Sequence, residues 1–206
     1  MLALSVTLVA ACSSQPVASK EPGAAAAPEP VEASAAAKPQ PAPGEEPLHA
    51  SPVKVTGDEI AVVKTNKGTI RFSFYPKDAP NTVASFIELA DEKFYDGTKW
   101  HRVVPGFVIQ GGDPLSRTDD PAVGSGGPGW HLKAEFNSRQ HLLGTVAMAR
   151  AQDPDSAGSQ FYICLAPQPS LDGQYTVFGQ VTSGMDVVQE IRQGDAIESI
   201  RIEHGK

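Results

Sequence analysis

From residue 60 onward, short apolar runs alternate with breaks marked by Gly or Pro, and the spacing inside each run names its element. Ile60-Ala61-Val62-Val63-Lys64-Thr65 and Thr69-Ile70-Arg71-Phe72-Ser73-Phe74-Tyr75 flank Asn66-Lys67-Gly68. The second arm alternates apolar with polar residues while Asn and Gly supply the turn, so this stretch predicts a β-hairpin. Residues 81–90 predict a helix: Val83, Phe86, Ile87 and Ala90 share one face, with Asp78 or Asn81 available as cap. Short apolar segments follow at 104–110, 144–149, 160–165 and 176–181. A second amphipathic helix is predicted over 185–192, after Gly184 and before Gly194, and a last alternating strand over 196–203. Many short strands with two helices predict a mainly β domain built as a closed, mostly antiparallel barrel.

The first 57 residues read differently. All 14 aromatic residues lie at Phe72 or later, whereas half of the 18 prolines lie at or before Pro52. Such a stretch cannot bury enough apolar surface to offset its chain entropy, and it is expected to be disordered. Residues 2–11 form an apolar run too short to span a bilayer but suited to the hydrophobic region of a secretory signal. Leu8-Val9-Ala10-Ala11-Cys12 resembles a bacterial lipobox. The resemblance implies cleavage before Cys12, acylation of its thiol and a lipid anchor in the membrane. No Lys or Arg precedes the apolar run, which points to a start upstream of Met1. Ser13 follows the cysteine where Asp would mark inner-membrane retention, favouring the outer membrane and a domain facing the periplasm. Residues 13–57 then form a Pro/Ala/Glu linker that would reach at most roughly 150 Å extended, and typically some 35–40 Å as a coil. The expected organisation is thus a signal over 1–12, a linker over 13–57 and a folded domain over 58–206.

Charge and cysteine content exclude several functions. The net charge of −7 divides as −2 over residues 13–57 and −5 beyond, leaving no basic face for a phosphate backbone. Nucleic acid is not an expected partner. Cys164 sits in the apolar run Phe161-Tyr162-Ile163-Cys164-Leu165 and reads as a small buried thiol. Cys12 has no core around it to hold a disulfide. His101, His131 and His141 lack metal-ligand spacing. Gly124-Ser125-Gly126-Gly127-Pro128-Gly129 formally contains G-x-G-x-x-G, but Pro128 and the residues near Trp130 read as a surface loop rather than the start of a helix. Ser159 lacks the nucleophile-elbow pattern.

Three stretches carry candidate chemistry: "WHRVVPGFVIQGGD" (100–113), "AMARAQDPDSAGSQFYI" (147–163) and "LDGQYTVFGQV" (171–181). In order and spacing they resemble the core signatures of cyclophilin-type peptidyl-prolyl cis-trans isomerases, and the resemblance covers residues 58–204. It implies a closed antiparallel eight-stranded β-barrel capped by two α-helices. It also implies acceleration of rotation about Xaa-Pro bonds in proline-containing polypeptides during folding. That rotation is opposed by a resonance barrier of about 18–20 kcal/mol and neither makes nor breaks a bond between heavy atoms. No nucleophile, metal or cofactor is therefore required. An ordinary turnover asks for only roughly 3–4 kcal/mol of stabilisation, the size of well-placed hydrogen bonds in a dry pocket.

By motif match Arg102 is the catalytic arginine. In the twisted state the prolyl nitrogen regains a basic lone pair, and a permanently charged guanidinium aimed there favours that state over either planar form. Gln110 matches the glutamine that positions Arg102 and the substrate backbone. The resemblance implies an apolar proline slot lined by Phe107, Val108, Phe161, Leu171 and Tyr175. Gln160 joins the substrate-binding set, and Ala149, Arg150 and Ala151 form the edge that pairs with the peptide N-terminal to proline. Three positions depart from the best-known members: Val108 stands for methionine, Arg150 for asparagine and Tyr175 for histidine. Ser170 replaces a tryptophan whose indole helps bind cyclosporin A, so weak binding of that drug is expected. A tethered proline-peptide binding module or holdase with incidental catalysis is the competing reading, and the presence of both Arg102 and Gln110 favours the enzyme. No long heptad or apolar stripe argues against a monomer.

Overall fold

A computed structural model of the chain describes residues 46–205. The signal, Cys12 and the linker up to residue 45 lie outside the described residues. Among the described residues no helix is long and apolar enough to cross a membrane.

The predicted hairpin is β1 (Glu59–Thr65) and β2 (Gly68–Phe74), with Thr65 opposite Gly68. Seven further strands complete the sheet: β3 (Thr98–Lys99), β4 (Arg102–Val104), β5 (Val108–Gly111), β6 (Thr145–Met148), β7 (Phe161–Cys164), β8 (Val177–Ser183) and β9 (Ala196–His204). All pair antiparallel in the order β3-β9-β1-β2-β8-β6-β7-β5-β4, and the sheet curls into a half-barrel. Nine strands stand where eight were expected. The two at the ends of the sheet, β3 and β4, are consecutive pieces of chain parted only by Trp100-His101. Trp100 exchanges backbone hydrogen bonds of 2.9 Å with the 194–195 turn, and that detour interrupts what would otherwise be one strand.

Alternation along each strand sorts the side chains into two groups. Val63, Ile70, Phe72, Ile109, Val146, Phe161, Ile163, Phe178, Ile197 and Ile200 point into the main core. Val108, Ala147, Tyr162, Cys164 and Val177 point the other way and form a second, smaller apolar cluster. Helix α1 (Pro80–Asp91) closes over the main core with Val83, Phe86, Ile87, Leu89 and Ala90 buried. Phe86 lies at its centre, 4.9 Å from the ring of Tyr95, 5.3 Å from Phe178, 5.4 Å from Phe161 and 5.5 Å from Phe72.

Neither expected cap serves α1. Asp78 instead pairs with Arg139 at 2.8 Å, and the side chain of Asn81 accepts from the Ser51 N–H and donates to the His49 carbonyl. The orphan N–H groups of Asn81 and Thr82 donate to the Glu135 carboxylate at 3.0 and 2.8 Å, a remote anion meeting the positive end of the helix. Helix α2 (Met185–Glu190) is shorter than predicted. Its Gly184 N-cap has φ of 84°, and a Cβ there would collide with the Thr69 carbonyl.

Residues 46–57, assigned by composition to the linker, are seated against the domain. Leu48 bridges His131 in parallel, and the His49 ring stacks on Trp130 at 4.1 Å while its Nε2 donates to the Glu88 carboxylate at 2.8 Å. Val53 and Val55 pack on the main core, and the Glu59 carboxylate accepts from the N–H groups of Thr56 and Gly57. Two alternate valines and a few hydrogen bonds are enough to hold twelve residues that composition alone marks as polar spacer.

Candidate active site

The β4–β5 hairpin sets Arg102 directly opposite Gln110. The Arg102 guanidinium donates to Gln110 Oε1 at 3.4 Å, and Gln110 Nε2 donates to Gln160 Oε1 at 2.9 Å. Gln160 Nε2 in turn donates to the carbonyls of Gly124 and Gly126, both at 2.9 Å. Each amide is thereby fixed in orientation by its neighbour. The glycine-rich loop is an anchor in this chain: the buried Asp113 carboxylate accepts from the N–H groups of Gly124 and Gly126, and no helix follows the loop.

Arg102 is half-buried, and burial draws its guanidinium below the ordinary arginine value while Tyr175 pulls the other way. Its charge survives at any physiological pH. No carboxylate lies within ion-pair distance of it among the described residues. A cation that is partly desolvated and not neutralised by a neighbour is available to an incoming dipole or lone pair. Its guanidinium also lies 5.9 Å from the ring of Phe107.

Beside Arg102 the second apolar cluster opens to solvent. Val108 and Tyr162 form its buried floor, and Phe107, Ala149, Leu171 and Tyr175 stand partly buried around them. Tyr175 packs edge-on against Tyr162 at 5.8 Å. The structure thus brings together Arg102, Phe107, Val108, Gln110, Ala149, Gln160, Leu171 and Tyr175. It places Phe161 elsewhere: that ring is fully buried in the main core, 5.6 Å from Trp100, on the opposite face of β7. Tyr162, missed from the sequence, holds the place assigned to Phe161. The signal was present in the two-residue period of a strand, because Gln160 belongs to the site and therefore residue 162, not 161, shares its face.

The edge at 149–151 runs along one rim. The Ala149 N–H donates to the Gln160 carbonyl at 2.9 Å, and the Ala151 N–H donates to Ser156 Oγ at 2.9 Å. Arg150 uses its side chain as well as its backbone. Its guanidinium lies 4.8 Å from the Tyr175 ring centroid and donates to the carbonyls of Gln174, Ala151 and Gln152. Ser170 is exposed on a 3-10 turn, Pro169–Leu171, at the far rim.

Among the described residues one trio, Asp58, Glu59 and His204, brings its ligand atoms close enough to share a metal ion. It contains none of the slot residues, and its Glu59 carboxylate is already engaged by Thr56 and Gly57.

This arrangement, an uncommitted arginine held by a glutamine beside an apolar slot on the outside of a curved β-sheet, is that of a prolyl isomerase. The chain matches the family described as cyclophilin type peptidyl-prolyl cis-trans isomerase/CLD over residues 60–205, and it belongs to that family. A peptidyl-prolyl cis-trans isomerase of Synechococcus elongatus is 48% identical over 144 residues, covering 69% of this chain and 94% of the relative. Peptidyl-prolyl cis-trans isomerase B of Bacillus subtilis is 47% identical over 136 residues, covering 65% of this chain and 90% of the relative. A cyclophilin-type isomerase of Cryptosporidium parvum, crystallised in the presence of the dipeptide Ala-Pro, superposes with a TM-score of 0.63 at 26% identity. That superposition covers 71% of this chain and 99% of the other.

Proposed function

We propose that this isomerase accelerates rotation of Xaa-Pro bonds in proline-containing polypeptides without covalent chemistry, with Arg102 stabilising the twisted transition state. The prolyl ring sits on Val108 and Tyr162, which holds the Xaa-Pro bond beside the guanidinium. As the bond twists, the prolyl nitrogen gains a lone pair that accepts from Arg102, an interaction either planar form lacks. Gln110 keeps the guanidinium aimed and Gln160 keeps Gln110 aimed. The observation that carries this reading is the absence of any ion-pair partner for Arg102 among the described residues. Arg102→Ala should lower kcat/KM by on the order of 100-fold in a protease-coupled assay on a short Xaa-Pro peptide, with the fold intact by circular dichroism. Equal rates for both proteins would sink the catalytic reading in favour of a binding module.

The work site that fits the N-terminal pattern is the cell envelope, where an acylated Cys12 would tether the domain in the outer membrane, facing the periplasm, while it assists the folding of envelope proteins. Intact mass of the membrane-extracted protein tests the anchor: a mass without the lipid increment removes it. Because Ser170 presents no indole at the rim, cyclosporin A is expected to bind weakly, and nanomolar inhibition in the same isomerase assay would contradict that.

A further inference from the structure

His141 stands behind the slot, and the isomerase chemistry above makes no use of it. Its side chain is fully buried, yet both ring nitrogens are engaged: Nδ1 lies 2.9 Å from Asp172 Oδ1 and Nε2 lies 2.9 Å from Tyr162 Oη. The His141 backbone N–H donates to the same Asp172 oxygen at 2.7 Å, and the Gln168 N–H donates to the His141 carbonyl at 2.7 Å. These four bonds leave the imidazole one position.

The hydrogens follow from chemistry. Hydrogen bonds from the backbone and ring of His141 hold the Asp172 carboxyl below the ordinary carboxylate value, so at neutral pH it is ionised and can only accept. Nδ1 therefore carries the proton. Burial draws the His141 ring below the ordinary histidine value, against the opposing pull of Asp172, so the ring is neutral and Nε2 is left as an acceptor. The Tyr162 hydroxyl is then the donor. The titratable and charged groups around this chain of bonds are few. Asp172 is the C-cap of the 3-10 turn Pro169–Leu171, and Tyr162 comes from β7. Tyr175 lies edge-on at 6.4 Å from the His141 ring, and the Arg150 guanidinium lies 4.8 Å from the Tyr175 ring centroid. Cys164, on the same face of β7, has its thiol pushed up to about 12 by burial and stays neutral.

We propose that Asp172 and His141 form a positioning relay that fixes the floor of the proline slot through the Tyr162 hydroxyl. The relay rests on the isomerase reading and deepens it. With its hydroxyl held by His141, the Tyr162 ring cannot rotate or slide, and Tyr175, packed edge-on against both rings, inherits that placement. Neither Asp172 nor His141 reaches the slot, so both are positioning residues. Their effect falls on how well the prolyl ring is held, and Arg102 is untouched.

The test compares wild type, Asp172→Ala, Tyr162→Phe and the double variant, each as the full chain. Asp172→Ala should raise KM for an Xaa-Pro peptide about three- to tenfold, the size of one intramolecular hydrogen bond, with kcat within about twofold. In the Tyr162→Phe background the same change should raise KM no further. Nitrogen-15 spectra of the imidazole should show the Nδ1–H tautomer alone in wild type and its loss in Asp172→Ala. An unchanged KM in Asp172→Ala, effects that simply multiply in the double variant, or a proton found on Nε2 each overturns the relay. Where Asp172→Ala does not fold, the pH profile decides. Wild-type KM should rise only as pH falls below the ordinary histidine range, where the ring takes up its second proton, and the rise should be missing in Tyr162→Phe. A flat wild-type profile overturns the relay. If no variant isomerises at all, the isomerase reading fails while the tautomer still judges the hydrogen-bond chain.

Discussion

Phe161 and Tyr162 are neighbours in the chain but belong to different clusters, so substitutions at the two should give unlike results. Phe161→Ala removes a fully buried ring and should cost about 3–5 kcal/mol by chemical denaturation, with KM of the surviving fold little changed. A change at Tyr162 should instead be read in KM. The family motif identifies a phenyl-like wall near this position but does not settle which of two adjacent aromatics faces outward. The pleat does, once one neighbour is known to lie in the site. Arg150 teaches a related lesson. By motif match it is one residue of the edge that pairs with the peptide, whereas its guanidinium also donates to three carbonyls and lies against the Tyr175 ring. Such contacts depend on where residues 174 and 175 lie in space, which no local pattern encodes. At Cys164, burial drives the thiol up to about 12, so thiolate reagents should label it only on unfolding. Rapid labelling of native protein at Cys164 would show that the buried end of the second cluster admits solvent.

Among the elements, α1 was legible from its 3.6-residue period, but its cap was not. Glu135 lies 54 residues from Asn81, beyond the reach of any capping-box pattern. Glu135→Gln should cost about 1–2 kcal/mol, because two helix N–H groups and the Thr82 hydroxyl lose an ionised acceptor. The turn after α1 is fastened differently. Asp96 receives two bonds from Arg201 on β9, at 2.7 and 2.8 Å, and these hold its carboxyl below the ordinary value of 3.8. A depressed carboxylate pKa contributes stability above the unfolded value and loses it as pH falls through the folded one. Asp96→Asn should therefore melt below wild type at neutral pH, and the gap should shrink and close as pH drops below the ordinary carboxylate range. A gap independent of pH would assign the difference to something other than this pair.

For the molecule as a whole, the mainly β class, both helices and the family could be read from the sequence. The split of one strand into β3 and β4 could not, because it arises where Trp100 turns aside to bond with residues 194 and 195, far along the chain. The seating of residues 46–57 was equally hidden, since that stretch carries no aromatic residue and only the alternating Val53 and Val55 mark a buried face. A chain beginning at Asp58 should lose about 2–4 kcal/mol of stability yet keep kcat/KM within about twofold, because the seated segment touches none of the slot residues. This docked segment also gives the protein a mechanical fuse. Tension applied at the N-terminus meets the stack of His49 on Trp130 and the bridge at Leu48 before it reaches β1, whose two neighbours in the sheet hold it far more firmly. Pulled in an optical trap, the molecule should yield first by a small step of about 40 Å, the contour of those twelve residues, with the catalytic face still intact. Load arriving from the N-terminal side is thus taken up and released by the seated segment while the catalytic domain stays folded.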